Sequence, residues 1–185
     1  MDTNPVGSPV FEAENQFLGS VLWSDLAGAR TLMAGMRPDD FARPMAAHIA
    51  RLAMQVMAQG QAPGPALLFD QATQTGQARG EHRITWLTRE LADLYGHAAG
   101  AVFGPRFKTS VLDAAYRRAA TRYAHRLAEA AATGDAAAIA ARLDERGDLD
   151  ALAERYRAAA GPEVLDPPEI VRPAPIPTST RRSAA

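Results

Sequence analysis

The sequence has no cysteine among its 185 residues, and this absence removes several classes of protein. It excludes a disulfide-stabilised scaffold, a thiol nucleophile, and zinc or iron–sulfur sites held by thiolates. No apolar run reaches the roughly 18 to 20 residues that a membrane-spanning helix requires. A chain of this length can instead bury a hydrophobic core large enough to fold without covalent staples.

The sequence also lacks an excess of charge of one sign. Lysine and arginine total 20, against 21 aspartate and glutamate residues, which gives a formal net charge of −1. A protein that coats DNA electrostatically is usually strongly basic, so this balance argues against that class. The acidic segment 1–16 has no apolar core. We therefore expect no signal peptide and a cytoplasmic location.

Proline is concentrated at the C-terminal end of the chain. Six of the 13 prolines fall in the last 25 residues: Pro162, Pro167, Pro168, Pro173, Pro175 and Pro177. This spacing excludes a helix and favours extended or polyproline II conformations. We predict one domain over residues 8–160 and a disordered Pro-rich tail over 161–185.

Before the tail, apolar residues recur at three- and four-residue spacing without the alternation of a strand, which predicts an all-α fold. The helix-start signals are Ser8-Pro9, Asp25, Pro44 and Pro105. Gly60 and Gly134 are predicted to end helices. The pattern indicates a small helical bundle over 8–96 and a long helical hairpin over 105–160, whose second arm could be interrupted at Gly147.

No group of residues in the sequence points to catalysis. The histidines match no metal-binding motif, and the serines lie in no nucleophile elbow. Glu12 and Glu14 are two residues apart on a predicted helix, so they point in different directions and favour the helix start instead of forming a catalytic pair. We predict no catalytic, cofactor-binding or metal-binding residue and no enzymatic activity.

The segment 104–110 faintly resembles the end of a phosphate-binding loop, because it contains Lys108, the only lysine. That motif requires glycine directly before the lysine, where the backbone wraps the phosphates. Phe107 occupies this position, and no predicted strand precedes the loop. We interpret the segment as a loop that leads into a helix started by Pro105.

The two arms of the predicted hairpin carry more apolar surface than one line of contact between them can cover. The candidate residues are Val111, Ala115, Tyr123, Leu127, Ile139, Leu143, Leu152 and Tyr156. A second hairpin could cover this surface in a two-fold four-helix arrangement, which predicts a homodimer or a higher homo-oligomer. In the alternative, the hairpin folds back onto the bundle and hides the same residues in a monomer.

The first arm of the hairpin also carries a basic face. Its candidate contacts to nucleic acid are Arg117, Arg118, Arg122 and Arg126. Such a face could bind phosphate groups or an acidic protein surface. In the competing interpretation, these arginines pair with Asp144, Glu145 or Asp148 on the other arm. The small number of stacking residues favours this interpretation, because only Tyr116 and Tyr123 interleave with the arginines.

Four segments carry recognisable local patterns in a fixed order. They are Ser8-Pro9 with Glu12-Ala13-Glu14 and Phe17-Leu18-Gly19-Ser20-Val21-Leu22; Arg37-Pro38-Asp39-Asp40-Phe41 with His48-Ile49; Gln59-Gly60-Gln61-Ala62-Pro63; and the stretch 106–130. Together they resemble the N-terminal domain of DnaB-type replicative helicases over roughly residues 8–155.

The sequence departs from that family at several positions. Ala42 stands where a tyrosine is usual, Gly64 and Pro65 stand where an acidic residue is expected, and residues 77–83 replace a glycine-rich turn. The RecA-like ATPase domain of the family has no counterpart in this chain, so helicase activity would need a partner or a further C-terminal part.

The resemblance implies a non-catalytic interaction module that acts in DNA replication. In that family the domain forms rings through paired hairpins and provides the docking surface for primase. By resemblance, this chain would self-associate through residues 105–160 and bind a helicase or a primase. The alternative is a nucleic-acid-binding accessory protein that uses the arginine face of the helix over 105–130.

Overall fold

The computed structural model describes residues 9–134 and 136–161, and this part of the chain consists of helices and short connections without any strand. The helices are α1 (Pro9–Leu22), α2 (Leu26–Met33), α3 (Pro44–Ala58), α4 (Pro65–Gln74), α5 (Glu81–Gly96), α6 (Gly104–Thr133), α7 (Ala136–Asp144) and α8 (Arg146–Ala160). Within the described ranges, two 3₁₀ turns, Pro38–Asp40 and Ala101–Phe103, lie in the connections. The predicted all-α fold is confirmed.

Local signals account for most helix boundaries. The Asp25 carboxylate accepts a hydrogen bond from the Gly28 N–H at 2.7 Å and thereby caps α2. Pro44 opens α3, as expected for a residue whose fixed φ suits the first helical position. Gly134 ends α6 with a φ of 72°, a left-handed conformation that glycine adopts without steric cost.

The interruption of the second arm falls at Glu145, two residues before the predicted position at Gly147. The Glu145 N–H bonds to the Arg142 carbonyl at 3.2 Å, a three-residue spacing that tightens the end of α7. The Glu145 carboxylate also pairs with the Arg142 side chain. Gly147 lies inside α8, so its conformational freedom is not what breaks the helix.

The hydrophobic core lies around α1, which packs against α2, α3, α5 and α6. The residues that contribute the largest fully buried apolar side chains are Phe17, Leu18, Val21, Ile49, Leu52, Val56, Leu68, Val111 and Leu112. The last two belong to the first half of α6. The core therefore continues from the bundle into the base of the hairpin.

Helices α7 and α8 return along α6 and complete the hairpin. Tyr116 of α6 stacks on Tyr156 of α8, with ring centroids 6.4 Å apart and planes at 6°. Both tyrosines pack against the core, so this contact closes the base of the hairpin. The predicted tail lies outside the described residues from position 162 onward.

Candidate interaction surface

A buried ion pair fixes the base of the hairpin to the bundle. Arg155 of α8 donates from Nη1 and Nη2 to the two carboxylate oxygens of Asp40, at 2.6 and 3.0 Å. Arg155 Nη1 also donates to the Gly35 carbonyl at 2.9 Å. Asp40 is buried and additionally accepts the Arg37 N–H at 2.6 Å. A bidentate arrangement of this kind sets both position and orientation, so it defines how α8 meets the bundle.

A second buried carboxylate fixes the start of α3. Glu14 has no solvent exposure, and its oxygens accept the main-chain N–H groups of Ala42 and Arg43. The Arg43 guanidinium lies 3.6 Å from Glu14 and 3.3 Å from Glu90 of α5. Glu14 therefore joins α1 to the α3 start, while Arg43 continues the connection to α5.

The structure divides the eight apolar candidates for self-association into two groups. Val111, Ala115 and Leu152 are buried in the core of the chain, and Tyr156 packs against it. These four residues are covered by the chain itself, as in the alternative in which the hairpin folds onto the bundle, so they do not present an open apolar surface.

The other four apolar candidates lie toward the distal end of the hairpin. Tyr123, Leu127 and Ile139 are half-buried, and Leu143 is 51% exposed. Helix α7, which carries Ile139 and Leu143, packs on α6 and α8. Apolar surface thus remains accessible on the part of the hairpin that extends beyond the core.

The arginine face is largely engaged with acidic and carbonyl groups of the chain itself. Arg117 donates to the Asp113 carboxylate at 2.8 Å, and this hydrogen bond raises the pKa of Arg117. Arg118 points inward and donates to the Asp40 carbonyl at 2.5 Å; burial lowers its pKa. Arg126 lies 3.3 Å from Glu145 on the other arm. The cross-arm pairing predicted with Glu145 is therefore present for Arg126.

The fourth arginine of that face, Arg122, lines a groove of about 650 Å³ between the hairpin and the connection before α3. Its charged lining residues are Arg37, Asp39, Asp40, Arg122, Arg126, Arg142, Glu145, Asp148 and Arg155. Five of these groups are basic and four are acidic, which favours internal pairing over a continuous track for a phosphate backbone.

Lys108 occupies a structural position. Its Nζ donates to the Ala34 carbonyl at 2.7 Å, at the C-terminal end of α2, where a cation complements the helix dipole. Burial lowers the pKa of Lys108. Gly104 lies so close to Leu32 that a Cβ there would come within 2.7 Å of it. The helix start expected at Pro105 is therefore present, but the segment 104–110 lies within α6 and packs on α2 instead of forming a loop.

Within the ranges 9–134 and 136–161, no group of three or more histidine, aspartate or glutamate residues is placed to hold a metal ion. His125 contacts Glu129 at 3.3 Å on the exposed surface of α6, a spacing of four residues that makes an ordinary helical pair. No helix in the same ranges has the length and apolar character needed to cross a bilayer.

Sequence reasoning missed the two buried carboxylate connections. Glu14 and Asp40 both belong to patterns that carry the helicase resemblance, but the partner Arg155 lies 115 residues from Asp40. Spacing along one helix gives no information on such a pair. The only available signal was an acidic residue inside an apolar stripe, as Glu14 is among the buried residues of α1.

The fold resembles that of a solved structure, the N-terminal domain of DnaB helicase from Mycobacterium tuberculosis, with a TM-score of 0.60. The two sequences are 22% identical, and the match covers 78% of this chain and 95% of that chain. No family model matches the sequence, and no curated protein matches it. The resemblance expected from the sequence patterns is confirmed at the level of the fold: the chain has the helical architecture of that helicase domain.

Proposed function

We propose that this chain is a non-catalytic helical interaction module that self-associates and acts in DNA replication by binding a helicase or a primase. The observation that carries the proposal is the accessible apolar surface at the distal end of the hairpin. The fold likeness to a replicative helicase domain supports the same function, because domains of that family assemble through paired hairpins.

The distal group, Tyr123, Leu127, Ile139 and Leu143, is the proposed contact between copies. Pairing two hairpins in antiparallel fashion would bury these side chains in a four-helix arrangement with two-fold symmetry. The base of the hairpin does not take part, because Val111, Ala115 and Leu152 are already covered by the chain itself. The proposed interface is therefore smaller than the eight-residue stripe inferred from the sequence.

Sedimentation velocity of the full chain and of Leu143→Glu tests this assembly. We expect a dimer or a higher oligomer for the wild type at micromolar concentration and a monomer for Leu143→Glu, since a carboxylate buried without a partner costs several kcal/mol. Leu67→Glu is the matched control, because Leu67 is an exposed leucine of α4, outside the hairpin. A monomeric wild type, or a variant that assembles like the wild type, would contradict the proposal.

The partner is tested separately by mixing the full chain with the replicative helicase or the primase of its own cell. Co-elution in size-exclusion chromatography that Leu67→Glu retains would support the proposed role in replication. If the chain co-elutes with neither protein at concentrations well above those in the cell, these two partners are excluded. Self-association is measured separately and would not be affected by that result.

A further inference from the structure

An exposed aromatic pair lies at the C-terminal end of α1. The Trp23 ring stacks on Tyr95 of α5, with centroids 4.5 Å apart and planes at 3°. The Trp23 Nε1–H donates to the Tyr95 carbonyl at 2.8 Å, which fixes the orientation of the indole. Trp23 is nevertheless 51% exposed and Tyr95 37% exposed. Rigid, half-exposed aromatic residues of this kind are typical anchors of binding surfaces.

Two more apolar residues extend this region. Val102 and Phe103, in the 3₁₀ turn before α6, are 80% and 48% exposed. Ser20, which lies one helical turn before Trp23, donates to the Gly100 carbonyl at 3.0 Å. The 3₁₀ turn that follows Gly100 therefore lies beside the same end of α1. We call Trp23, Tyr95, Val102 and Phe103 the aromatic surface.

An acidic groove of about 640 Å³ lies farther toward the N-terminal end of α1, also between α1 and α5. Its lining includes the carboxylates of Glu12, Glu90 and Asp93. Arg43 lies in the same lining and faces both Glu90 and the buried Glu14. Arg89 of α5 lies 3.8 Å from Asp93, so the three carboxylates face two guanidinium groups and the groove keeps a small excess of negative charge. Glu12 is about 16 Å from Trp23 along α1, at 1.5 Å per residue.

We propose that the C-terminal segment 172–182 of this same chain docks along α1 and α5, with Pro173, Pro175 and Pro177 on the aromatic surface and Arg181 and Arg182 at the acidic groove. Pro173, Pro175 and Pro177 alternate with small and apolar residues, and Arg181-Arg182 follow. Proline-rich segments bind aromatic-lined surfaces in the extended polyproline II form, whose ordering cost is low. Guanidinium groups complement carboxylates.

The spacing of the segment fits the spacing of the surface. Arg181 follows Pro175 by six positions, a distance of about 19 Å in polyproline II form at 3.1 Å per residue. The corresponding separation on the surface, from Trp23 to Glu12, is about 16 Å along the helix. A segment that runs from the aromatic surface toward the acidic groove can therefore place its prolines on the first and Arg181 at the second at the same time.

The described chain also ends near the aromatic end of the surface. Thr109 of α6 donates to the Ala159 carbonyl at 3.0 Å, which places the end of α8 beside the first turns of α6. Phe103 lies about 9 Å away from Thr109 along that helix. The residues between Gly161 and Pro173 span at most about 40 Å when extended. The proline end of the segment can therefore reach the aromatic surface of the same chain, and the arginines that follow it can reach the acidic groove.

Acrylamide quenching of Trp23 in the full chain tests this docking. Trp86→Phe leaves Trp23 as the single tryptophan, since the chain has two. In that background, replacing Pro173, Pro175 and Pro177 with serine should raise the quenching constant about twofold and shift emission to longer wavelength. Replacing Pro162, Pro167 and Pro168 with serine is the matched control and should change neither value.

Charge gives a second readout in the same protein. At low salt, Arg181→Gln combined with Arg182→Gln should raise the quenching constant by part of the rise expected for the serine variant. At high salt it should cause no further change, because screening removes the contribution of the arginines. In the chain that keeps Trp86, the indole N–H resonance of Trp23 should also move when the three prolines are replaced. This measurement stands even if Trp86→Phe perturbs folding, which circular dichroism would reveal.

Equal quenching and an unmoved indole resonance in the parent and in the serine variant would overturn the proposal. The protection should be independent of protein concentration, because the segment belongs to the same chain. Protection that appears only at high concentration would overturn the same-chain assignment and point to docking by a second copy.

Discussion

At the residue scale, Glu14 is fully buried and has three partners from one short segment. These are the main-chain N–H groups of Ala42 and Arg43, which donate to its carboxylate, and the Arg43 guanidinium, which pairs with it. Removing the carboxylate leaves these two N–H groups without their acceptor and leaves Glu90 as the carboxylate beside the Arg43 guanidinium. We expect Glu14→Ala to lower the free energy of unfolding by about 3 kcal/mol in urea denaturation. Glu12→Ala, on the exposed side of the same helix, should change it by less than about 0.5 kcal/mol. Equal effects of the two substitutions would contradict this role of Glu14.

His48 gives the chain a pH dependence whose sign can be stated. Burial first, and then the positive charges of Arg51 and Arg83, lower the pKa of His48 below its usual 6.5. Between the two values the unfolded chain binds a proton that the folded chain does not, so stability rises with pH. We expect the free energy of unfolding to fall as the pH decreases from about 7 through this window.

Urea denaturation of the wild type and of His48→Gln from pH 7 to pH 5 measures this contribution. The variant should show a smaller loss of stability than the wild type as the pH falls, because it lacks the titrating ring. His82→Gln is the control, since His82 is an exposed histidine of α5. A loss that is the same in all three proteins would assign the pH dependence to other groups.

Individual residues were predictable where their chemistry is local. Asp25 caps α2 through the Gly28 N–H three residues away, and the sequence contains all of that information. Asp40 was recognised only as part of a pattern, because its partner Arg155 comes from the last described helix. Long-range pairs depend on how helices pack, and packing is not encoded in spacing along one helix.

At the element scale, α1 and α5 approach so closely that glycine is required between them. A Cβ at Gly19 would lie 2.5 Å from the Ala98 Cβ and 2.6 Å from the Leu94 carbonyl oxygen. The carbonyl belongs to the backbone and cannot rotate away. We expect Gly19→Ala to lower the free energy of unfolding by about 1–3 kcal/mol, the usual cost of overpacking.

Gly147→Ala is the matched control, because Gly147 lies in α8 and a Cβ there would meet nothing within 4 Å. It should stabilise the chain by about 0.5–1 kcal/mol through the lower backbone entropy of alanine. Urea denaturation of both variants measures the difference. A neutral Gly19→Ala would show that the two helices separate at little cost.

The helices themselves were predictable because their start and stop signals are local, whereas the packing of the hairpin was not. Both Val111 and Leu143 fit an apolar stripe, yet Val111 is buried against the core and Leu143 is exposed. The two positions differ only in which element covers them. Periodicity identifies the apolar side of a helix, but it does not identify the partner that packs on it.

At the scale of the whole molecule, the near-balance of charge has a consequence for binding to nucleic acid. The four arginines of the predicted basic face do not act together, because Arg117 and Arg126 pair with carboxylates and Arg118 donates to a buried carbonyl. Only charges that reach phosphate groups release counterions from DNA. The number of released ions therefore counts Arg122 together with any of the other three arginines that leave these internal partners.

We expect the logarithm of the affinity for duplex DNA to fall with the logarithm of salt concentration with a slope no steeper than about −2. Fluorescence anisotropy of a labelled duplex between about 50 and 200 mM salt measures this slope over a range in which strong electrostatic binders change greatly. Arg122→Gln should make the slope shallower by about one, whereas Arg118→Gln should leave it unchanged, since Arg118 is turned inward. A slope of about −4 or steeper would show that the hairpin exchanges its internal ion pairs for phosphate contacts. That result would favour nucleic-acid binding over the interaction module proposed for this fold.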